Sequence, residues 1–160
     1  MSRIFKSPGE AEAAFYEAIE RCDMRALDEV WSSDENIVCI HPGSSRIEGR
    51  EDVLQSFSDL FEAAPTLNFS IVDALHTGNE GLAVHLVREE IELDGEVVSV
   101  MVSTNIYQVE EGSWRMLLHH ASHEPDVALD YTMENDHDDE LGLEEAYEEE
   151  LEPEPTRVLH

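Results

Sequence analysis

The stretch Asn36-Ile37-Val38-Cys39-Ile40-His41-Pro42-Gly43 decides how this chain is read. Four β-favouring residues in a row, Ile37 to Ile40, specify a short buried strand. Pro42 stops it, because proline has no N–H for a ladder and forces His41 into an extended conformation. Gly43 then gives the chain room to turn. An imidazole is therefore held at a strand end, against a rigid turn. The segments before this stretch read as helices that cover a sheet, and most of the segments after it read as the sheet itself.

Working back towards the N-terminus, Ser7-Pro8-Gly9-Glu10 is a helix start with several agreeing signals. Ser7 can cap, Pro8 stands where its missing N–H costs nothing, and Glu10 completes a capping box. Ala11, Ala14, Phe15, Ala18, Ile19 and Cys22 then recur on one helical face. Asp23 caps a second, shorter helix that buries Leu27, Val30 and Trp31. Beyond the His41 turn, Gly49 precedes a third helix with Val53, Phe57, Leu60 and Phe61 on one stripe, and Pro65 ends it.

From Thr66 the period changes to two. Leu67, Phe69 and Ile71 alternate with polar residues in a strand that runs to about His76. Leu82 to Val87 is apolar apart from His85, and this strand continues through Arg88-Glu89-Glu90 to Leu93. Asp94-Gly95 is the strongest hairpin signal in the chain. Val97 to Val109 and Ser113 to about His123 complete a meander. Helices followed by an antiparallel meander make an α+β domain over residues 1–123, with helices on one face of a curved sheet.

Charge divides the chain. Residues 124–160 hold fifteen Asp and Glu against one Arg, or −14; the first 123 residues carry −15. The acidic segment has too few large apolar residues to order itself, so a disordered tail is expected. Leu143, Tyr147 and Leu151 leave room for a transient helix there, and the Asp136–Glu140 run reads as solvated acid. Such acidity argues against nucleic acid and against an anionic membrane, because phosphates would be repelled. No apolar run approaches the ~20 residues of a membrane span, and residues 1–6 lack an apolar signal segment. Cys22 and Cys39 do not form a disulfide framework, which fits a reducing cytoplasm.

The three helices, the strand that ends in Cys39-Ile40-His41-Pro42-Gly43, and the meander together resemble the SnoaL-like branch of the NTF2-like superfamily. Ser103-Thr104-Asn105-Ile106-Tyr107 and Trp114 to Ser122 add to the resemblance, which covers roughly residues 8–123. It implies a cone: three N-terminal helices packed in a strongly curved, mostly antiparallel sheet, with a pocket at the open end. It also implies a homodimer through the outer sheet face. Functions in the superfamily include isomerases, dehydratases, polyketide cyclases and transport factors, so the fold does not settle function. In the ketosteroid isomerase relatives, the general base precedes a proline at the end of the first strand, and His41 matches that position. Their oxyanion-hole tyrosine position resembles Phe15, which cannot donate, with Tyr16 adjacent. Their oxyanion-hole acid position resembles Asn105.

His41 reads either as a general base or as a hydrogen-bonded turn residue. His119, His120 and His123 invite a metal, but neighbours on a strand face opposite sides, so no chelating cluster and no cofactor are expected. Strand phase groups His120 with Trp114, Met116, Leu118 and Ser122 and sets His119 on the outer face. Asn105 either ties strands together or faces a ligand. Glu89 is in phase with His85, Val87 and Ile91, hence inward, unless the strand end is already in water or a bulge inverts the phase. Cys39 reads as buried and inert. The expectation is one pocket with His41, Asn105 and His120 as its polar groups, walled by Phe15, Tyr16, Trp31, Phe57, Glu89, Met116 and Leu118. A small hydrophobic ligand suits such a pocket. Two functions stay open: a small-molecule-binding domain with acid–base activity at His41, and a non-enzymatic dimeric module whose acidic tail contacts a basic partner.

Overall fold

The computed structural model describes residues 2–63 and 66–125; the acidic tail and its transient helix lie outside the described residues. Helix α1 spans Pro8–Glu20 and begins as its sequence dictates: Ser7 Oγ accepts from the Glu10 N–H at 3.1 Å. The Glu10 carboxylate reaches one residue beyond the cap and accepts from the Lys6 N–H at 2.7 Å. Asp23 caps α2, Met24–Val30, by accepting from the Ala26 N–H at 3.0 Å. Helix α3 covers Arg50–Ala63.

Six strands follow the order β2-β1-β6-β5-β4-β3. They are β1 Val38–Ile40, β2 Ile47–Glu48, β3 Asn68–Gly78, β4 Leu82–Leu93, β5 Glu96–Glu110 and β6 Ser113–His123. Strand β1 runs parallel to β6, with Cys39 opposite His119, and all other pairs are antiparallel. The β4–β5 hairpin turns at Asp94 and Gly95, both at positive φ (52° and 82°), as a two-residue turn of this kind requires. Strand β2 is not legible in the sequence: two residues are too few for any period to show.

The core lies between α1 and the concave sheet face. Phe15, fully buried, meets Trp31, Phe57 and Tyr16 edge-on at 6.2, 6.0 and 5.0 Å between ring centroids. Truncating such a residue to alanine costs about 3–5 kcal/mol. Trp31 and Met116 are equally enclosed, and an isolated bridge joins them. These three expected pocket walls are core residues, because the three helices and β6 close over them completely.

One irregularity redirects the whole end of the sheet. Ile106 pairs with Leu118 and Tyr107 with Met116, which leaves Leu117 as an extra residue on β6. Side chains alternate with period two, so one extra residue inverts everything beyond it. Met116, His119 and Ala121 all face inward and are buried, and Leu117 packs against the core. The expected placement of His120 and Leu118 in the pocket is therefore reversed. His120 is exposed and pairs with Thr104 on the outer face; Leu118 pairs with Ile106 on that same face.

Candidate functional site

An apolar cavity of about 230 Å³ opens beside the β1 end, between α1, α3 and the strands. Ile19, Phe57, Leu60, Phe69, Ile91 and Met101 supply much of its wall. Four polar side chains reach it: Tyr16, His41, Glu89 and His119. Of the expected set, His41, Tyr16, Phe57 and Glu89 line the cavity. Asn105 is fully buried behind the wall, and His119 stands where His120 was expected.

Each of these side chains is held by its neighbours. Pro42 stops β1 after Ile40, and the His41 ring packs edge-on against Phe57 with centroids 4.8 Å apart. His41 Nε2 lies 2.9 Å from Ser56 Oγ, and Ser56 Oγ donates to the Val53 carbonyl at 2.6 Å. A hydroxyl has one proton, so Nε2 is the donor and Nδ1 keeps the lone pair. Burial holds the His41 imidazole below its ordinary pKa.

His119 Nδ1 lies 2.6 Å from Asn105 Oδ1. The amide is oriented by its other end, where Nδ2 donates to Tyr16 Oη at 2.9 Å and to Glu12 Oε2 at 3.3 Å. His119 therefore donates from Nδ1 and keeps its lone pair on Nε2. Burial, with smaller contributions from His41 and His120, pushes its pKa down to about 3. Tyr16 donates to Glu89 Oε1 at 2.6 Å. Burial raises the Glu89 carboxyl above its usual range, although the hydroxyls of Ser103 and Tyr16 beside it oppose this. Burial and the Glu89 charge push the Tyr16 phenol far up. Glu89 faces inward, as its phase with His85 and Val87 implies.

Behind Asn105 stands a second buried carboxylate that the sequence reading did not single out. Glu12 Oε2 accepts from His85 Nδ1 at 2.8 Å, Tyr107 Oη at 3.0 Å and Asn105. A signal was present: Glu12, Tyr16 and Ile19 share one helical stripe at i, i+4 and i+7. Glu12, His85 and His76 bring ligand-type atoms within 4.8 Å of one another, the one such trio among the described residues. Here Glu12 and His85 bond to each other, and the exposed His76 ring stacks on His85 at 3.8 Å. Cys39 is buried, and its thiol is pushed up to about 12 by that burial, which makes it inert.

A larger cleft of about 530 Å³ lies elsewhere, where Arg25, Arg50 and Arg115 approach Asp28, Glu29 and Glu110. Two of its cations are occupied. Arg50 binds Asp28 and the carbonyls of Trp31 and Ser32, and Arg115 binds the carbonyls of Arg3 and Glu29. The smaller cavity, with its open lone pairs, is the candidate site.

The chain has counterparts among known proteins. A family model for the SnoaL-like domain matches residues 10–126. The chain belongs to that family. A Thiobacillus denitrificans protein described as a calcium/calmodulin-dependent protein kinase type II association domain shares 30% identity at TM-score 0.72, covering 76% of this chain and 98% of its own. A protein of the NTF2-like family from Streptomyces avermitilis, described as a dehydratase, shares 28% at TM-score 0.67, over 72% and 92% of the two chains. F-box protein SKIP8 of Arabidopsis thaliana is 22% identical over 108 residues, 68% of this chain. The chain spans about half (46%) of that protein's length. No helix among the described residues is long and apolar enough to cross a membrane.

Proposed function

We propose that this SnoaL-like domain binds a small, largely apolar molecule in the 230 Å³ cavity and carries out acid–base chemistry on it, with His41 as the proton acceptor. One observation carries the reading. Four titratable side chains converge on a single apolar cavity, and burial displaces the pKa of each of them. A neutral imidazole with Nδ1 unprotonated can take a proton. His119 and Glu89 would orient the substrate. The dehydratase described for the Streptomyces relative is compatible with such chemistry. Drug-sized ligands need about 300–1,000 Å³, so the ligand is smaller than these.

A fragment screen read by methyl NMR tests this. Shifts confined to Ile19, Ile91, Met101 and Ala121 support the pocket; binding only at the arginine cleft overturns it. Replacing His41 by Gln should abolish turnover if the site is catalytic and alter only affinity if it binds without reaction.

The outer sheet face favours a homodimer as well. Leu75, Leu86 and Val102 are exposed there at 62%, 41% and 43%. Repulsion between two bodies of −15 opposes association, and salt should relieve it. Light scattering should show a dimer that strengthens with salt and that Leu86→Asp disrupts. The two thiols, Cys22 exposed and Cys39 buried, are free, which supports a reducing compartment. Under the alternative of a dimeric interaction module, the acidic tail would contact a basic partner in a salt-sensitive way.

A further inference from the structure

Apart from the Ser103 hydroxyl, which is buried beside Glu89 without a hydrogen-bond partner and does not line the cavity, the side-chain protons around the cavity are already committed. Tyr16 gives its proton to Glu89, and both Asn105 N–H groups go to Tyr16 and Glu12. His119 gives its Nδ1 proton to Asn105. Ser56 gives its proton to Val53, which obliges His41 Nε2 to donate to Ser56. The groups that remain for a ligand are His41 Nδ1, His119 Nε2 and the free lone pairs of the Glu89 carboxylate. All of these are acceptors.

We infer that the cavity selects small apolar molecules bearing hydrogen-bond donors, namely alcohols or amines, over ketones of the same shape. This inference rests on the cavity being the ligand site. Burial lowers the pKa of both His41 and His119, so neither gains a proton that would restore a donor near neutral pH. Glu89 acts as an acceptor in its carboxylate form, the form that the Tyr16 hydrogen bond favours against burial. A ketone brings a further acceptor to three acceptors, and its buried oxygen stays unpaired. Rejection of an analogue that lacks the donor is then tenfold or more, as in sites built to hydrogen-bond a hydroxyl. The same proton count supplies no side-chain donor among the residues that line the cavity for an enolate oxygen. This sets the site apart from the ketosteroid isomerase pattern, where two donors face that atom. Between the two favoured heads, the body charge of −15 assists only the ammonium, by long-range attraction that salt screens.

A series on one carbon skeleton tests the inference: tetralol, aminotetralin and tetralone, titrated into the full chain by calorimetry. The alcohol and the amine should bind at least about tenfold tighter than the ketone. The amine's affinity should fall with added salt while the alcohol's holds. Glu89→Gln places an amide N–H where a carboxylate oxygen stood, so it should cut the alcohol-to-ketone ratio about tenfold. Circular dichroism checks that this variant is folded. Equal or tighter binding of the ketone overturns the inference, as does an unchanged ratio in folded Glu89→Gln. If none of the three binds, and tetralin itself does not, the pocket reading fails and this inference with it. Binding of all three with no preference overturns the donor rule alone.

Discussion

Glu12 on α1 and Glu89 on β4 are both buried carboxylates, at 8% and 3% exposure, and they do opposite things. Glu12 collects three donors on one oxygen, from β4, β5 and the Asn105 amide. Glu89 accepts a hydrogen bond from Tyr16 and turns the rest of its carboxylate to a cavity. Asn105 and Tyr16 connect the two, so they belong to one hydrogen-bonded array with a saturated end and an open end. Burial of a charge does not mark a site. Hydrogen-bonding capacity left over after the fold is satisfied does.

The comparison breaks most visibly at the saturated end. Glu12→Ala strands three buried donors and should cost about 3–5 kcal/mol in urea denaturation. Glu89→Ala, which strands one donor beside an open cavity, should cost about 1–3 kcal/mol. Equal costs would show that the two carboxylates are used alike. Tyr16→Phe removes the bridge between them and leaves an Asn105 N–H unpaired. The expected loss is about 1–2 kcal/mol, with ligand affinity changed because the Glu89 oxygen is released.

Acid sharpens the picture through His119. Its native pKa of about 3 lies below the free value near 6.5. Above about pH 6.5 both folded and unfolded forms are neutral and stability is undiminished. As pH falls towards 3, the unfolded chain gains a proton that the native state refuses, and stability drops by up to about 1.4 kcal/mol per unit. The raised Glu89 carboxyl acts with the opposite sign over the carboxylate range. The slope is therefore best read as the difference between wild type and His119→Asn, which should lose it. The smallest effect belongs to the neighbouring histidine: His120→Ala should stay within about 0.5 kcal/mol and leave ligand binding alone. A larger effect of His120→Ala on binding would put the wrong face of β6 in the site.

Much of the frame was legible because its signals are local. The Ser7 and Asp23 caps, the α1 stripe from Ala11 to Ile19, the Asp94-Gly95 turn and the stop at Pro42 each act within a few residues, and the structure keeps all of them. Cys22, expected on that stripe, lies beyond the helix end and is exposed. His41 was found because a proline pins it. His119 was missed because strict alternation, carried from Trp114 to Ser122, runs past the unseen extra residue at Leu117. For Phe15, Trp31 and Met116, neither apolar character nor position in the pattern separates a cavity wall from the core behind it.

Local pattern thus settled which segments are helix or strand and in what order, since caps, turns and periods are written within one turn or one pleat. Only tertiary structure decided which face of β6 carries the inward histidine, because a single bulge inverts a period of two. It alone decided which carboxylate is saturated, because the Glu12 donors arrive from 73 and 95 residues away, where no spacing rule reaches.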